Sequence, residues 1–284
     1  EITIGRHNVG ADEPCLIIAE AGVNHNGDKD IALQMIDAAS NAGADLVKFQ
    51  TFKAENVATP QTPKAAYSMV STDIQESHLE MMRKLELSAS VHRDLMEHCK
   101  KRDIMFLSSP FDLDSVDLLD DLGVEAFKVP SGEITNIPLL TYIAEKGKPM
   151  VVSSGMANIG EVDSAIETIL QTGNTQLVLL HCVSNYPACP DDINLRAMGT
   201  MARAFGFPVG FSDHTLGIDV SIAAVAMGAR VLEKHFTLNR HMDGPDHAAS
   251  LEPEEFATLV KSVRTIEAAL GDGKKRPVAN ESDT

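Results

Sequence analysis

Eight short apolar runs recur along the chain, and each of them ends at polar or ionisable residues. Amphipathic segments with helical periodicity fill most of the gaps between the runs. A strand of a parallel sheet that is buried on both faces has this nearly continuous apolar composition. The runs cover residues 16–20, 46–50, 104–109, 125–131, 150–154, 177–182, 209–214 and 230–235.

The number and spacing of these runs predict the fold. Eight runs in 284 residues correspond to about 35 residues for each strand and helix, the repeat size of a (β/α)8 TIM barrel. We therefore predict the α/β class, with one barrel over residues 1–270 and a short N-terminal β-hairpin that turns near Asn8 and Gly10. In this fold the carboxyl ends of the strands meet at one mouth, where catalysis takes place.

The composition indicates a globular protein whose partners are neither nucleic acids nor membranes. Apolar residues make up 44% of the chain and charged residues 23%, which is ordinary for a globular domain. A formal net charge of −17 repels polyanions and anionic membrane surfaces. The runs are shorter than the ~20 residues that cross a bilayer, and the N-terminal sequence does not resemble a signal peptide. We therefore expect a cytoplasmic protein, in which any anion site is made positive locally.

The four cysteines lack the spacing of a zinc site, which agrees with a reducing compartment. Cys182 ends the sixth run, where a buried thiol acts as a small hydrophobe. Cys189 lies in the following loop and is the candidate nucleophile among them. Its neighbours include no basic residue that would lower its pKa, so we favour an unreactive thiol.

One stretch interrupts the alternation of strands and helices. From Thr51 to Ser90 the chain contains ATPQTPKAAY and then the helical pattern ESHLEMMRKLEL. An insertion of this length in a compact domain is usually functional. We predict that it forms a wall or lid over the mouth.

Two histidines end neighbouring runs. His214 ends the seventh run and His235 ends the eighth, so that both imidazoles can lie at the same side of the mouth. Imidazoles together with oxygen ligands suit a divalent first-row metal, and we favour this interpretation over separate hydrogen-bonding roles. His181 lies inside the sixth run, and we interpret it as a hydrogen-bonded core histidine rather than a third ligand.

Two lysines interrupt apolar runs near their ends. An unpaired ammonium at Lys48 or Lys128 would be costly to bury. One interpretation is a clamp for a phosphate or carboxylate, and another is a neutral Schiff-base lysine as in aldolases. A third is ion pairing with Glu20 or Glu233. The hydroxyl groups at other strand ends favour the anion clamp, and they belong to Ser109, Ser131, Ser153 and Ser212.

Three carboxylates complete the candidate site. Glu20 ends the first run, and Glu233 lies on the same side of its strand as His235 because side chains alternate along a strand. A carboxylate in such a mouth can act as a general base or orient a ligand. Asp246, beyond the eighth run, can accept hydrogen bonds from a polyol.

Nine segments in the same order resemble the sialic acid synthase family. They span Ile17 to Pro253, and two stretches within them, AEAGVNHNG and KFQTF, are more similar to the neuraminate and legionaminate synthases than to the pseudaminate branch. The segments are IIAEAGVNHNGD, GADLVKFQTF, SSPFD, KVPSGEITN, SSGMA, LHCVSNYP, GFSDHT, EKHFTL and GPDHAASLEP.

The resemblance implies a specific reaction. Phosphoenolpyruvate condenses with the open-chain aldehyde of an N-acetylated mannosamine-type sugar, and the products are a nine-carbon 2-keto acid and phosphate. The enol C3 is the nucleophile, water attacks C2, and the C–O bond breaks. A divalent metal polarises the aldehyde; we expect Mn²⁺, with Mg²⁺ or Co²⁺ as alternatives.

The resemblance also implies roles for individual residues. His214 and His235 match the metal ligands of the family. The phosphoenolpyruvate pocket is matched by Lys48, Lys128, Ser109, Ser131, Ser153 and Ser212. The sugar and acid–base side is matched by Glu20, Gln50, Phe111, Tyr186, Glu233 and Asp246. Where some relatives contact the anion through an asparagine, this chain has the shorter donor Ser184.

The resemblance finally implies an assembly. The family continues into a small C-terminal antifreeze-like (SAF) domain, which reaches across a homodimer and supplies an arginine to the partner's sugar site. We therefore expect residues 271–284 to be a linker stub to such a domain. Two other functions stay open, namely a class I Schiff-base pyruvate aldolase and a sugar- or phosphate-binding barrel without turnover.

Overall fold

Eight parallel strands form a ring. The computed structural model describes residues 1–64, 72, 76–277 and 281. The strands of the ring are β3 (Leu16–Gly22), β4 (Leu46–Thr51), β5 (Met105–Pro110), β6 (Phe127–Val129), β7 (Met150–Ser153), β8 (Leu177–Cys182), β9 (Val209–Asp213) and β10 (Val231–His235). The ladder order is β5-β4-β3-β10-β9-β8-β7-β6, and its two end strands lie beside each other. The predicted (β/α)8 barrel is confirmed.

An antiparallel hairpin precedes the ring, as predicted, but its turn lies elsewhere. The hairpin pairs β1 (Ile2–Ile4) with β2 (His7–Val9) through a two-residue loop that begins at Gly5. Gly5 has φ +56°, a conformation that costs glycine little and suits a tight hairpin turn. The predicted turn near Asn8 and Gly10 is wrong, because Asn8 lies within β2 and Gly10 follows it.

Helices alternate with the strands. The described helices are α1 (Lys29–Asn41), α2 (Ala54–Val57), α3 (His78–Leu85), α4 (Ala89–Lys101), α5 (Leu113–Asp121), α6 (Ile137–Glu145), α7 (Ile159–Gln171), α8 (Arg196–Phe205), α9 (Asp219–Ala226) and α10 (Pro253–Leu270). The side chain of Asp28 caps α1 by accepting hydrogen bonds from two backbone N–H groups, and aspartate is among the residues preferred at this position. Helices α2 and α3 belong to the predicted insertion.

Apolar side chains fill the barrel below its mouth. Ile18, Leu46, Leu107 and Leu180 are buried in one cluster inside the ring, and β1 and β2 contribute Ile4 and Val9 to the same cluster. The hairpin thus covers the amino ends of the strands. A second and larger cluster lies between the strands and the surrounding helices. The interior of the ring is consequently open at the carboxyl ends of the strands.

None of the helices within the described ranges is both long and apolar enough to cross a membrane. The last barrel helix ends at Leu270, and the predicted linker 271–284 includes residues 278–280 and 282–284, which lie outside the described residues. The domain division at this position stays a prediction.

A buried ion pair joins the ends of β9 and β10. The Nζ of Lys234 lies 3.0 Å from Oδ2 of Asp213, and both side chains are fully buried. Asp213 also accepts hydrogen bonds from the backbone N–H and the hydroxyl of Thr215. Because side chains alternate along a strand, the neighbouring His214 and His235 project to the opposite side. The pair therefore holds two strand ends in place behind the mouth.

Removing one member of this pair should be costly. We expect Lys234→Met to lower the free energy of unfolding by about 3–5 kcal/mol, because an uncompensated carboxylate would remain buried. Arg83→Met is the control, since Arg83 pairs with Glu55 on the surface and such pairs contribute at most about 1 kcal/mol. Denaturant unfolding measures both variants. Equal losses for the two would contradict the prediction.

Candidate active site

A cavity of about 680 Å³ lies at the carboxyl ends of the strands. It contains every residue that the sequence places in the candidate site, although the role of each stays a prediction. These lining residues are Glu20, Lys48, Gln50, Ser109, Phe111, Lys128, Ser131, Ser153, Ser184, Tyr186, Ser212, His214, Glu233, His235 and Asp246.

Two lysines and two glutamates form the charged floor of the cavity, and all four side chains are buried. The Nζ of Lys48 lies 2.8 Å from Oε2 of Glu20 and 4.0 Å from Oε1 of Glu233. The Nζ of Lys128 lies 3.9 Å from Oε2 of Glu233. The ion pairing considered from the sequence is thus present, and the contacts link Glu20, Lys48, Glu233 and Lys128 in a chain of alternating charge.

Serine hydroxyls connect this floor to its surroundings. Lys48 donates a hydrogen bond to Oγ of Ser109 at 3.3 Å, and Lys128 donates one to Oγ of Ser153 at 2.7 Å. Each of these serines accepts from an ammonium and so keeps its own O–H for another acceptor. An anion on the floor could accept hydrogen bonds from the lysines and the hydroxyls together.

The environment separates the two glutamates in pKa. Burial raises the pKa of Glu20 to about 7, although the attraction of Lys48 opposes this shift. Burial also acts on Glu233, but the attraction of Lys128 and Lys48 outweighs it and lowers the pKa of Glu233. Glu20 can therefore exchange a proton near neutral pH, while Glu233 stays anionic. Carboxyl groups separated in this way can take different acid–base roles.

The two lysines also differ. Burial lowers the pKa of Lys48, but the attraction of Glu20 and then of Glu233 outweighs it and raises that pKa. At Lys128 burial dominates, and the pKa is lowered. Lys128 is therefore the lysine that would suit a Schiff base, whereas Lys48 is a fixed cation.

A group of small polar side chains lies on the opposite side of the ring from β4. Oγ of Ser131 is 3.2 Å from Sγ of Cys182 and accepts a hydrogen bond from the backbone N–H of Gly155 at 3.0 Å. A Cβ added at Gly155 would lie 2.2 Å from Oγ of Ser184. Only glycine fits this concavity, whose serine hydroxyls suit the oxygens of an anion.

Cys182 lines the cavity. The prediction that its thiol acts only as a small hydrophobic group of the core does not include this place in the site. Burial raises its pKa, but a 4.0 Å contact with Nδ1 of His214 and the neighbouring hydroxyls outweigh burial and lower it. The signal was available in the sequence, because Cys182 ends its run as the other site residues do. Cys189, the cysteine singled out as a candidate nucleophile, is exposed and lies outside the cavity lining.

The paired histidines have the features of metal ligands. The ring centroids of His214 and His235 are 5.4 Å apart. Nδ1 of His214 lies 2.6 Å from the carbonyl oxygen of Val183, so this nitrogen donates, and in the neutral form of the ring the lone pair is on Nε2. Such a contact commonly orients a metal-bound histidine. Nδ1 of His235 is buried without a hydrogen-bond partner.

These residues fit a metal whose remaining ligands come from water or substrate. Over the described ranges, no group of three or more histidine, cysteine and acidic side chains is arranged to hold an ion. Burial, with the charge of His214, keeps the pKa of His235 well below its usual value, so the ring is neutral. Two protein ligands would leave positions of a first-row ion open, as catalytic metal sites require.

His181 lies apart from the histidine pair. Its Nε2 is 2.6 Å from the carbonyl oxygen of Ile193, and its ring is tilted against Phe211 with centroids 5.9 Å apart. His181 does not line the cavity. The predicted hydrogen bonding of His181 is confirmed, but the residue is half-buried and not part of the core.

The insertion forms one wall of the cavity, as predicted. Its lining residues come from α2, α3 and the ends of these helices, and they are Asn56, Val57, His78, Met81, Met82 and Leu85. Residues 65–71 and 73–75 of the insertion lie outside the described residues.

Some further lining residues lie in the turn after β6 and are not predicted from the sequence. Glu133 and Asn136 follow β6, and Asn136 donates a hydrogen bond to Oε2 of Glu133 at 2.7 Å. They lie beyond the strand end, so the alternation of strand side chains gives no signal for them.

Asp246 and Tyr186 complete the lining near the histidines. Asp246 is buried, and burial raises its pKa to about 6 against the attraction of His214 and Lys48. The ring of Tyr186 lies with its centroid 4.2 Å from that of His214 and 5.4 Å from that of His235. An aromatic ring therefore covers the paired imidazoles.

The chain is similar over nearly its whole length to two named synthases. The chain is 51% identical over 268 residues to the N,N'-diacetyllegionaminic acid synthase of Campylobacter jejuni, a match that covers 94% of this chain and 80% of the relative. It is 49% identical over 276 residues to the enzyme of the same name from Legionella pneumophila, covering 96% and 78%.

A solved structure is similar throughout. The sialic acid synthetase of Leptospira borgpetersenii, crystallised with citrate, superposes with a TM-score of 0.88 at 37% identity and covers 100% of this chain and 94% of that one. The NeuB family profile matches residues 35–275. The resemblance to sialic acid synthases is therefore confirmed, and the chain belongs to the NeuB family.

Proposed function

We propose that this protein is a synthase that condenses phosphoenolpyruvate with the aldehyde of an N-acetylated mannosamine-type sugar. The products are a sialic-type nine-carbon 2-keto acid, of the class named in the legionaminic acid synthases above, and inorganic phosphate. The observation that carries the proposal is the buried floor of alternating lysines and glutamates beside two histidines, in a chain of this family.

The floor suits the phosphoenolpyruvate anion. In a chain with a formal net charge of −17, this substrate needs fixed positive charge and hydrogen-bond donors where it binds. Lys48 and Lys128 supply the charge, and Ser109 and Ser153 each keep a hydroxyl proton to donate. The concavity at Gly155 offers further donors for the carboxylate or the phosphate.

The two glutamates suit proton transfer during the reaction. Water that attacks C2 must lose a proton, and a general base with a pKa near the working pH is most effective for this. Glu20 has such a pKa and lies 2.8 Å from Lys48. Glu233 accepts a hydrogen bond from Ser212 at 3.0 Å and would hold the floor lysines in place.

We also infer that His214 and His235 would hold a divalent ion, with Mn²⁺ expected and Mg²⁺ or Co²⁺ as alternatives. Such an ion, when bound, would polarise the aldehyde oxygen. The Val183 carbonyl fixes the ring of His214, and the buried Nδ1 of His235 has no other partner. Tyr186 packs against both rings and would restrict their motion.

We also make an inference about the cellular location of the protein and its oligomeric state. We infer a cytoplasmic homodimer, on the resemblance to the family and on composition, with phosphoenolpyruvate and the sugar as small-molecule partners. The formal charge of −17 disfavours nucleic acids and anionic membranes as partners.

A class I aldolase is the second candidate, because burial lowers the pKa of Lys128. The 2.7 Å hydrogen bond from Lys128 to Ser153 and the nearby Glu233 favour an ammonium over a neutral amine. A Schiff-base reaction also needs no metal ion, so it would give the two histidines no role in catalysis.

Phosphate release separates the two reactions. We expect release from phosphoenolpyruvate only when an N-acylated mannosamine is added, and at least roughly 100-fold less with Lys48→Met, because a donor to the developing charge is lost. Lys29→Met, on the surface of α1, is the matched control. A pyruvate adduct on Lys128 after borohydride treatment, without phosphate release for any such sugar, would support the aldolase instead.

The pH profile tests Glu20. Its carboxylate is the active base, and because its pKa is raised to about 7, kcat/KM should rise with pH through that value and then level. Glu20→Gln should lose roughly 100-fold or more in kcat/KM and flatten the rise. Glu254→Gln, on the surface of α10, should keep both. A rise that persists near pH 7 in Glu20→Gln would contradict the role.

Metal binding tests the histidines without relying on turnover. Titration of the purified protein with Mn²⁺, followed by electron paramagnetic resonance, should give one tight site. His214→Ala and His235→Ala should weaken it at least 10-fold, because each removes a protein ligand. His241→Ala is an exposed control. Equal Mn²⁺ affinity in all three variants and the wild type would contradict the assignment.

A further inference from the structure

A buried polar network lies behind the two histidines of the site, and the reaction above does not use it. We call it the ion-pair network. It consists of the carboxylate of Asp213, the ammonium of Lys234 and the hydroxyl groups of Thr215 and Ser221, and all four side chains are buried. None of the four belongs to the described cavity lining. The network therefore does not contact a substrate in the cavity.

We propose that the ion-pair network positions His214 and His235 for metal binding. Asp213 and Lys234 are its two positioning residues, and they act through the backbone rather than by contact with a ligand. The inference rests on the proposed function, because it concerns the metal-binding role given there to the histidines.

The carboxylate of Asp213 holds the backbone on both sides of His214. Its Oδ1 accepts hydrogen bonds from the backbone N–H and from the hydroxyl of Thr215, both at 2.8 Å. An aspartate side chain that bonds to the backbone two residues later closes a local turn, and His214 is the middle residue of this turn. Oδ2 of Asp213 accepts a hydrogen bond from Ser221 on α9. The direction in which the side chain of His214 leaves the backbone is restrained as a result.

The ammonium of Lys234 connects this turn to β10. Its Nζ lies 3.0 Å from Oδ2 of Asp213 and donates a hydrogen bond to the carbonyl oxygen of Thr215 at 2.5 Å. Asp213 and Lys234 are also partners in the ladder between β9 and β10. Lys234 directly precedes His235 in the sequence. One buried cation thus links the backbone beside the first histidine to the backbone beside the second.

The stability of the barrel does not by itself account for a charged pair at this place. A buried ion pair can often be replaced by apolar side chains of similar volume without loss of stability. Apolar contacts, however, are not directional, whereas charge-assisted hydrogen bonds fix a geometry. A site with two protein ligands needs that geometry, because ligands held in place by supporting hydrogen bonds bind an ion more tightly.

Replacing both charges together tests the positioning role. Asp213→Asn/Lys234→Met leaves no unpaired charge buried, and the asparagine oxygen can still accept from Thr215, so we expect the barrel to fold. The link from Thr215 to β10 is lost. Titration with Mn²⁺, followed by electron paramagnetic resonance, should give a dissociation constant at least roughly 10-fold higher than that of the wild type, because the support of the ligands is removed.

A milder variant and a control separate positioning from stability. Thr215→Val removes one hydrogen bond of the network and should raise the Mn²⁺ dissociation constant by roughly 2-fold or more. Ile4→Ala creates a cavity at the amino end of the barrel and should lower the free energy of unfolding without changing that constant. Circular dichroism and denaturant unfolding establish which proteins are folded during the titration.

The opposing outcomes are distinct. An unchanged Mn²⁺ dissociation constant in every network variant that folds would overturn this inference alone. Equal weakening of Mn²⁺ binding in Ile4→Ala would also overturn it, because the loss would then follow stability. Absence of a tight Mn²⁺ site in the wild type would overturn the proposed metal-binding role of His214 and His235 together with it.

Discussion

The rest of the site depends on charge compensation between two lysines and two glutamates in the floor of the barrel. Lys48 and Lys128 can be buried because Glu20 and Glu233 lie between 2.8 and 4.0 Å from them, and an unpaired buried charge would be costly. The four formal charges sum to zero, so an added polyanion makes the floor negative. A cation at the neighbouring histidines would restore balance and leave the carboxylate of Glu20 free to act as a base.

The strand ends were predictable from sequence because two rules act on them together. Parallel strands bring their carboxyl ends to one mouth, and alternation decides which side chain faces it. The same rules apply at His181 and Cys182, which are adjacent and face opposite ways. The hairpin turn was missed because the sequence offers two glycines, and the strand pairing selects Gly5 over Gly10.

Residues beyond the strands were not predictable in the same way. Glu133 and Asn136 lie in the turn after β6, and Met82 and Val57 lie in the insertion. These segments lack the regular alternation of side chains that strands have. Their place in the cavity therefore depends on tertiary packing and not on a sequence pattern. The sequence indicated a wall, but its apolar character toward the ligand became visible only once α2 and α3 were placed over the floor.

The N-terminal hairpin has a consequence for access to the cavity. Ile4 and Val9 fill the amino end of the ring together with the barrel's interior side chains, and the described cavity is reached from the carboxyl end. Such a cavity is closed at the amino ends of the strands, so both reactants enter and leave through the same mouth. The reactant that contacts the floor passes the rim when it enters and again when it leaves. A few hairpin residues on the far side of the barrel thereby leave one mouth to serve both substrates.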